Sequence, residues 1–207
     1  CGWIIDLRQI AQPREGLLIH AKSSMEEPLR WTSKKDRYGV VAIAIHWVTA
    51  LLIIGLLVTG FRAADLTDTA AKSVLLRFHA AGGVAVLLLT LARIAWWWFA
   101  DDKPAPVAGT PRQQERLAKA VHVLFYVVIF GMAASGIGMM VLSGAGEIVF
   151  GGAERPLPDF SNFVPRLPHG IGGRALFALL ILHVGAALYH HFIRRDRLLG
   201  RMGLGRP

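Results

Sequence analysis

The sequence predicts an all-α integral membrane protein, an antiparallel four-helix bundle with both termini in the cytoplasm. Three observations carry that prediction. Hydrophobic residues make up 54% of the 207 residues and charged residues only 18%. A soluble domain carries roughly a quarter charged residues, so this chain has too little polarity to coat a globule. Four apolar runs are each long enough to cross a bilayer core, which takes about 20 residues of helix. The Lys and Arg residues fall unevenly on the two sides of those runs. The net charge of +9 thus lies between apolar segments and not on one polar face, which excludes a nucleic-acid binder. The apolar content excludes disorder, and a single cysteine excludes a disulfide scaffold.

Residues 1–36 mix charges with Gly and Pro and show no clear periodicity. No apolar stretch precedes a small-residue cleavage site, so they do not read as a signal peptide. They are expected to form a mobile cytoplasmic extension, with His20 solvated in it. The first span runs from Val40 to Phe61. The second runs from Phe78 to Ala100, interrupted by His79 and Arg93, and ends in Trp96, Trp97 and Trp98, which suit an interfacial aromatic belt. The third runs from Ala118 to Leu142 and the fourth from Gly170 to Ile193. They are helices, because a span must satisfy its own backbone and the period-two alternation of a barrel is absent.

The connections Arg62–Arg77, Asp101–Leu117 and Ser143–His169 are short enough for antiparallel neighbours. The third, rich in Gly and Pro, is too long to be a simple turn. Residues 37–202 are therefore expected to form the membrane domain, with 203–207 as a tail. Seven Lys and Arg precede the first span. Three (Lys103, Arg112, Arg116) lie between the second and third, Lys119 stands at the start of the third on the same side, and five follow the fourth. The other side carries Arg62, Lys72, Arg77, Arg155, Arg166 and Arg174. The positive-inside rule places both termini in the cytoplasm.

Eight histidines in so apolar a chain are the functional signal, because a polar group inside a span is costly and is kept for a purpose. His169 and His183 are 14 residues apart. On a helix they differ by about 40° from whole turns and by roughly 21 Å along the axis. Two ligands on one face, near opposite sides of the bilayer, suggest two stacked metal centres. Neutral imidazole is an axial ligand of haem iron, and bundle interiors hold such cofactors. Depth pairs His79 with His169 on the outer side and His46 with His183 on the inner side. His122 also lies on the inner side, so depth alone leaves it as a candidate ligand.

Paired glycines, Gly82–Gly83 and Gly172–Gly173, follow His79 and His169 by one turn. They leave room for a flat macrocycle or for close helix packing. Arg93, near the inner end of the second span, either meets an anion such as a haem propionate or snorkels to the interface. A zinc or iron site would want three or four converging ligands, often with carboxylates, and the spans contain no Asp or Glu. No CxxCH motif occurs, which excludes covalent c-type attachment.

The stretches RYGVVAIAIHW (37–47), RFHAAGG (77–83), AKAVHVLFY (118–126) and HGIGGRALFALLILHVGAALYHHFIRRDRLLGRM (169–202) resemble the bacterial cytochrome b561 family of four-helix dihaem membrane proteins. The last stretch, with HVGAALYHHF before a basic tail, is the most specific. The resemblance implies two non-covalent b haems held by His46, His79, His169 and His183 in the bacterial inner membrane. It also implies a quinone site near the end of the fourth span, which points to His190. His190 lies seven residues past His183 on nearly the same face, whereas His191 is turned about 100° away. In superoxide oxidase members of the family, superoxide on the outer side gives its electron through both haems to ubiquinone.

Three functions compete on the sequence. The leading one is a respiratory-type redox protein, an oxidoreductase of the superoxide:ubiquinone kind or a pure electron carrier. The second is a membrane haem subunit that anchors a separate dehydrogenase or hydrogenase. The third, a proton-relaying transporter, predicts no haem absorption. The six outer basic residues face five acids (Asp65, Asp68, Glu147, Glu154, Asp159). Clustered, they would steer a small anion inward; scattered, they are ordinary solvated loop charge.

Overall fold

The computed structural model describes residues 30–107, 109–153, 155–196 and 198–204. Residues 1–29, with His20 and most of the N-terminal extension, lie outside the described residues. Four long helices dominate: α1 (Val40–Asp65), α2 (Thr69–Phe99), α3 (Arg112–Leu142) and α5 (Arg166–Tyr189). All four are long and apolar enough to cross a membrane, α5 together with the π-helical turn His190–Arg194 that continues it. Two short helices, α4 (Ala145–Val149) and α6 (Leu198–Arg201), and a 3-10 turn at Phe160–Asn162 complete the elements among the described residues. Among the described residues there is no strand.

The helices outrun the apolar runs that announce them. The link between α1 and α2 is only residues 66–68, because Asp68 caps α2 by accepting the backbone N–H groups of Ala70 and Ala71 at 2.8 and 3.0 Å. A carboxylate there satisfies donors that have no partner within the helix, so helix begins nine residues before the apolar segment. The third connection is structured too. Gly144, at φ 68°, ends α3 and admits α4. The side chains of Ala145 and Val149 are fully buried, and Arg77 Nε donates to the Val149 carbonyl at 2.6 Å. The expected tryptophan belt reduces to Trp98, 79% exposed. Trp96 Nε1 donates to Asp101 at 3.1 Å, and Trp97 packs edge-on against Tyr38.

Packing is most extensive between α1 and α2 and between α3 and α5, with α2 also against α3. Contact between α5 and α1 is lighter. The buried core is Ile53, Leu57, Val86, Ile129 and Leu176, halfway along the bundle.

The end that carries residues 31–39 and 198–204 is tied together by polar bonds. Ser33 donates from N and Oγ to the Asp101 carboxylate at 2.9 and 2.7 Å. Arg201 donates to the carbonyls of Asp36, Lys35 and Ala105. Trp47 Nε1 donates to the Met202 carbonyl at 3.1 Å, so α6 is bonded to the foot of α1. Gly39 is required there: a Cβ would come within 2.5 Å of the Trp31 and Thr32 backbone. Residues 33–36 are thus bonded into the bundle's terminal end.

Candidate functional site

One spacing repeats on every long helix. On α1 it joins His46, Ile53 and Gly60; on α2, His79, Val86 and Arg93. On α3 it joins His122, Ile129 and Gly136; on α5, His169, Leu176 and His183. Seven residues turn a helix to within about 20° of two full turns and advance it about 10.5 Å. Each helix therefore offers two site residues on one face, roughly 21 Å apart. All four midpoint residues belong to the buried core. The residues assemble at two levels, one near the end that carries residues 31–39 and 198–204 and one far from it.

At the far level the rings of His79 and His169 meet edge-on, with centroids 6.1 Å apart and planes inclined at 69°. Glycine on the neighbouring helices makes this possible. A Cβ on Gly60 would stand 2.9 Å from His79 Cε1, and one on Gly136 3.3 Å from His169 Cε1. Thr59 Oγ1 lies 3.1 Å from His79 Nδ1, and Ser135 Oγ 3.0 Å from His169 Nδ1. A cavity of about 770 Å³ adjoins both rings and extends to Lys72, Asp159 and Arg166 at its mouth. That volume falls within the roughly 300–1,000 Å³ of cofactor and ligand pockets. Hydrogen bonds from the Ser161 hydroxyl and backbone N–H hold the Asp159 carboxyl below the usual range, so it stays ionised at neutral pH.

At the near level the His46 and His183 rings are 6.3 Å apart, and His122 stands 5.6 Å from His183. The structure thus brings all three inner candidates together. His122 Nδ1 donates to the Ala118 carbonyl of its own helix at 2.6 Å, and the side chain is exposed. Arg93 turns inward and does not snorkel. Its Nη1 is 3.2 Å from His46 Nδ1, and its Nε is buried with no hydrogen-bond partner. Among the described residues no three His, Cys, Asp or Glu side chains converge as a metal-ion cage would need. Each level offers facing rings instead.

These residues fit haem. Two imidazoles bound through nitrogen on opposite sides of one metal, at about 2.0–2.1 Å each, set their ring centres about 6 Å apart. The 6.1 and 6.3 Å separations match. The orphaned Arg93 Nε is a donor suited to a carboxylate. The expected glycine pairs contribute little room. A Cβ on Gly82 would meet Leu56 at 3.0 Å, and one on Gly172 would meet Met132 at 2.6 Å, so both serve helix packing. Gly83 lines the cavity. The glycines against the rings, Gly60 and Gly136, were missed; the 14-residue spacing from His46 and His122 would have found them.

His190 stands where α5 gives way to the π-helical turn, which closes at Arg195 with φ 54°. Its Nδ1 bonds to the Asp196 carboxylate, whose other oxygen accepts the Leu198 N–H at 3.2 Å. His191 packs on Phe192, away from this pair.

A family model described as prokaryotic cytochrome b561 matches residues 37–205. The chain is 26% identical over 185 residues to cytochrome b561 homolog 2 of Escherichia coli K12, covering 84% of this chain and 95% of the relative. It is 26% identical over 173 residues to the probable superoxide oxidase CybB of Yersinia pestis, covering 80% and 95%. It is also 26% identical over 175 residues to cytochrome b562 of Cereibacter sphaeroides, covering 82% and 97%.

Proposed function

The chain belongs to the prokaryotic cytochrome b561 family, and from that premise we propose that it passes electrons across the inner membrane through two b haems to a quinone. The observation that carries the proposal is the pair of facing imidazole couples, 6.1 and 6.3 Å between rings, at two levels on the same four helices. His79 and His169 would hold the outer haem, and His46 and His183 the inner one. Bound there, haem supplies a one-electron redox centre. Arg93 would neutralise a propionate of the inner group through the donors it has free.

The remaining steps belong to the chain. Lys72 and Arg166 line the outer cavity beside the ionised Asp159, and together they leave one net positive charge there. There they draw in a small anion, and superoxide is the substrate named for the Yersinia pestis relative. At the opposite end His190 presents Nε2, since Nδ1 is bonded to Asp196. Its imidazole, a group that both accepts and donates protons, would relay those that a quinone takes up on reduction.

A pyridine haemochrome assay on the purified protein is expected to return two non-covalent b haems per chain; one or none rejects the two-centre reading. The quinone step has its own test. Reduced His190→Ala protein is expected to keep both haems and to reoxidise much more slowly with a soluble ubiquinone analogue. An unchanged rate removes His190 from the site.

A further inference from the structure

We propose that Thr59 and Ser135 are positioning residues that fix the tautomer of the outer histidines, so that the outer centre is ready to ligate and the inner one is not. The inference rests on the two-haem reading above. Its ground is hydrogen bonding at the two levels, which differs in kind.

A hydroxyl has one proton to donate. Thr59 Oγ1 donates to the Gly55 carbonyl at 2.8 Å, and Ser135 Oγ to the Gly131 carbonyl at 2.7 Å, each one turn back on its own helix. Neither has a proton left for the imidazole it touches. Each hydroxyl therefore meets its histidine as an acceptor, beside a backbone carbonyl (Leu56 for His79, Met132 for His169) that also accepts from the ring, and the ring proton sits on Nδ1 of His79 and of His169. The lone pair is then on Nε2, the nitrogen left for iron. An imidazole N–H bonded to a fixed acceptor is the usual support of a metal-bound histidine, setting both tautomer and ring orientation. Gly60 and Gly136 close the rings in from the side.

At the inner level the neighbour of Nδ1 is a guanidinium, which only donates. With Arg93 Nη1 at 3.2 Å, His46 Nδ1 is an acceptor and its proton sits on Nε2. That is the wrong nitrogen. Ligation by His46 through Nε2 requires the proton to move to Nδ1 and Arg93 to turn away, toward an anion that its unpartnered Nε also awaits. No charge changes; the proton only changes nitrogen. The outer pair needs no such rearrangement, so it fills first.

The test uses the full-length protein. Produced with limiting haem, it is expected to carry the outer haem alone at one haem per chain. The ferric spectrum is assigned against His79→Ala, which retains only the inner centre, and His46→Ala, which retains only the outer one. In fully loaded protein, Thr59→Val and Ser135→Ala are expected to raise the midpoint potential of the outer haem and leave the inner one unmoved. An imidazole that loses one of its two acceptors, the hydroxyl, gives less electron density to the ferric iron. Each is also expected to weaken outer-haem retention by roughly ten- to a hundredfold. The conservative exchanges Thr59→Ser and Ser135→Thr keep the hydroxyl and are expected to restore both properties. A merely structural role would not move a potential at one level only. Two bound haems with an unshifted outer potential in both variants, or an inner haem that fills first, overturns the proposal alone. Fewer than two haems at full loading overturns the two-centre reading and this proposal with it.

Discussion

Alanine at His79 or at His169 is expected to strip the same haem and halve the haem content, and alanine at His46 or His183 to strip the other. The effect is expected to be large because, in the two-haem reading, each iron would have two protein ligands and the loss of either would leave one position open in an apolar bundle. His79 and His169 sit at one level and His46 and His183 at the other, so the double variant His79→Ala/His169→Ala should look like either single one. By contrast, His79→Ala/His183→Ala should bind no haem at all. His122→Ala is expected to keep both, although its ring is nearer to His183 than His46 is. Its Nδ1 is bonded to its own helix and its side chain is exposed. Haem quantitation on the purified set decides the matter: loss of a haem in His122→Ala with retention in His46→Ala reverses the inner pairing.

The second large effect is expected from a single methyl group. In Gly60→Ala the new Cβ would stand 2.9 Å from His79 Cε1, closer than carbon atoms pack, so the ring must move. A ligand ring cannot move far without losing its metal, and the helix backbone cannot retreat from a packed neighbour at small cost. Gly60→Val should therefore abolish the outer haem and leave the inner one, and Gly60→Ala should weaken it. Gly55, five residues earlier on the same helix and turned away from that face, provides the control. A side chain there meets open space, so Gly55→Ala is expected to keep both haems and gain about 0.5–1 kcal/mol of helix stability. Equal haem content in Gly55→Ala and Gly60→Val would overturn the close fit of Gly60 against the ring.

The sequence announced the parts of this architecture that obey long-range simple rules. Apolar length places Val40–Phe61 and Gly170–Ile193 on helices close to those observed, because a bilayer selects for length. The histidines stood out because imidazole inside a span has to be justified by a partner. Helix ends were less legible. Thr69–Arg77 is polar enough to resemble a loop, and only Asp68, satisfying two backbone donors, shows where the helix starts. Trp97 resembled a belt residue, yet it is held by Tyr38 from across the fold. The second neighbours of the rings were hidden for a different reason. Glycine, threonine and serine are ordinary in packed membrane helices, so Gly60, Thr59 and Ser135 gain meaning only from the ring each of them touches.

The apolar layer of Ile53, Val86, Ile129 and Leu176 has an electrical consequence. In the two-haem reading, an electron passing between the levels crosses this layer by tunnelling, while a hydrated proton finds nothing in those four side chains to carry it. The bundle is then a conductor for one particle and a dielectric for the other. A displacement of roughly 21 Å through a core about 30 Å thick samples about 70% of the transmembrane voltage. At 100 mV that is about 1.6 kcal/mol of electrical work per electron, from about 2.3 kcal/mol for a full crossing. Turnover would thus feel the membrane potential directly, and a polar side chain at any one of the four midpoints would begin to short the circuit.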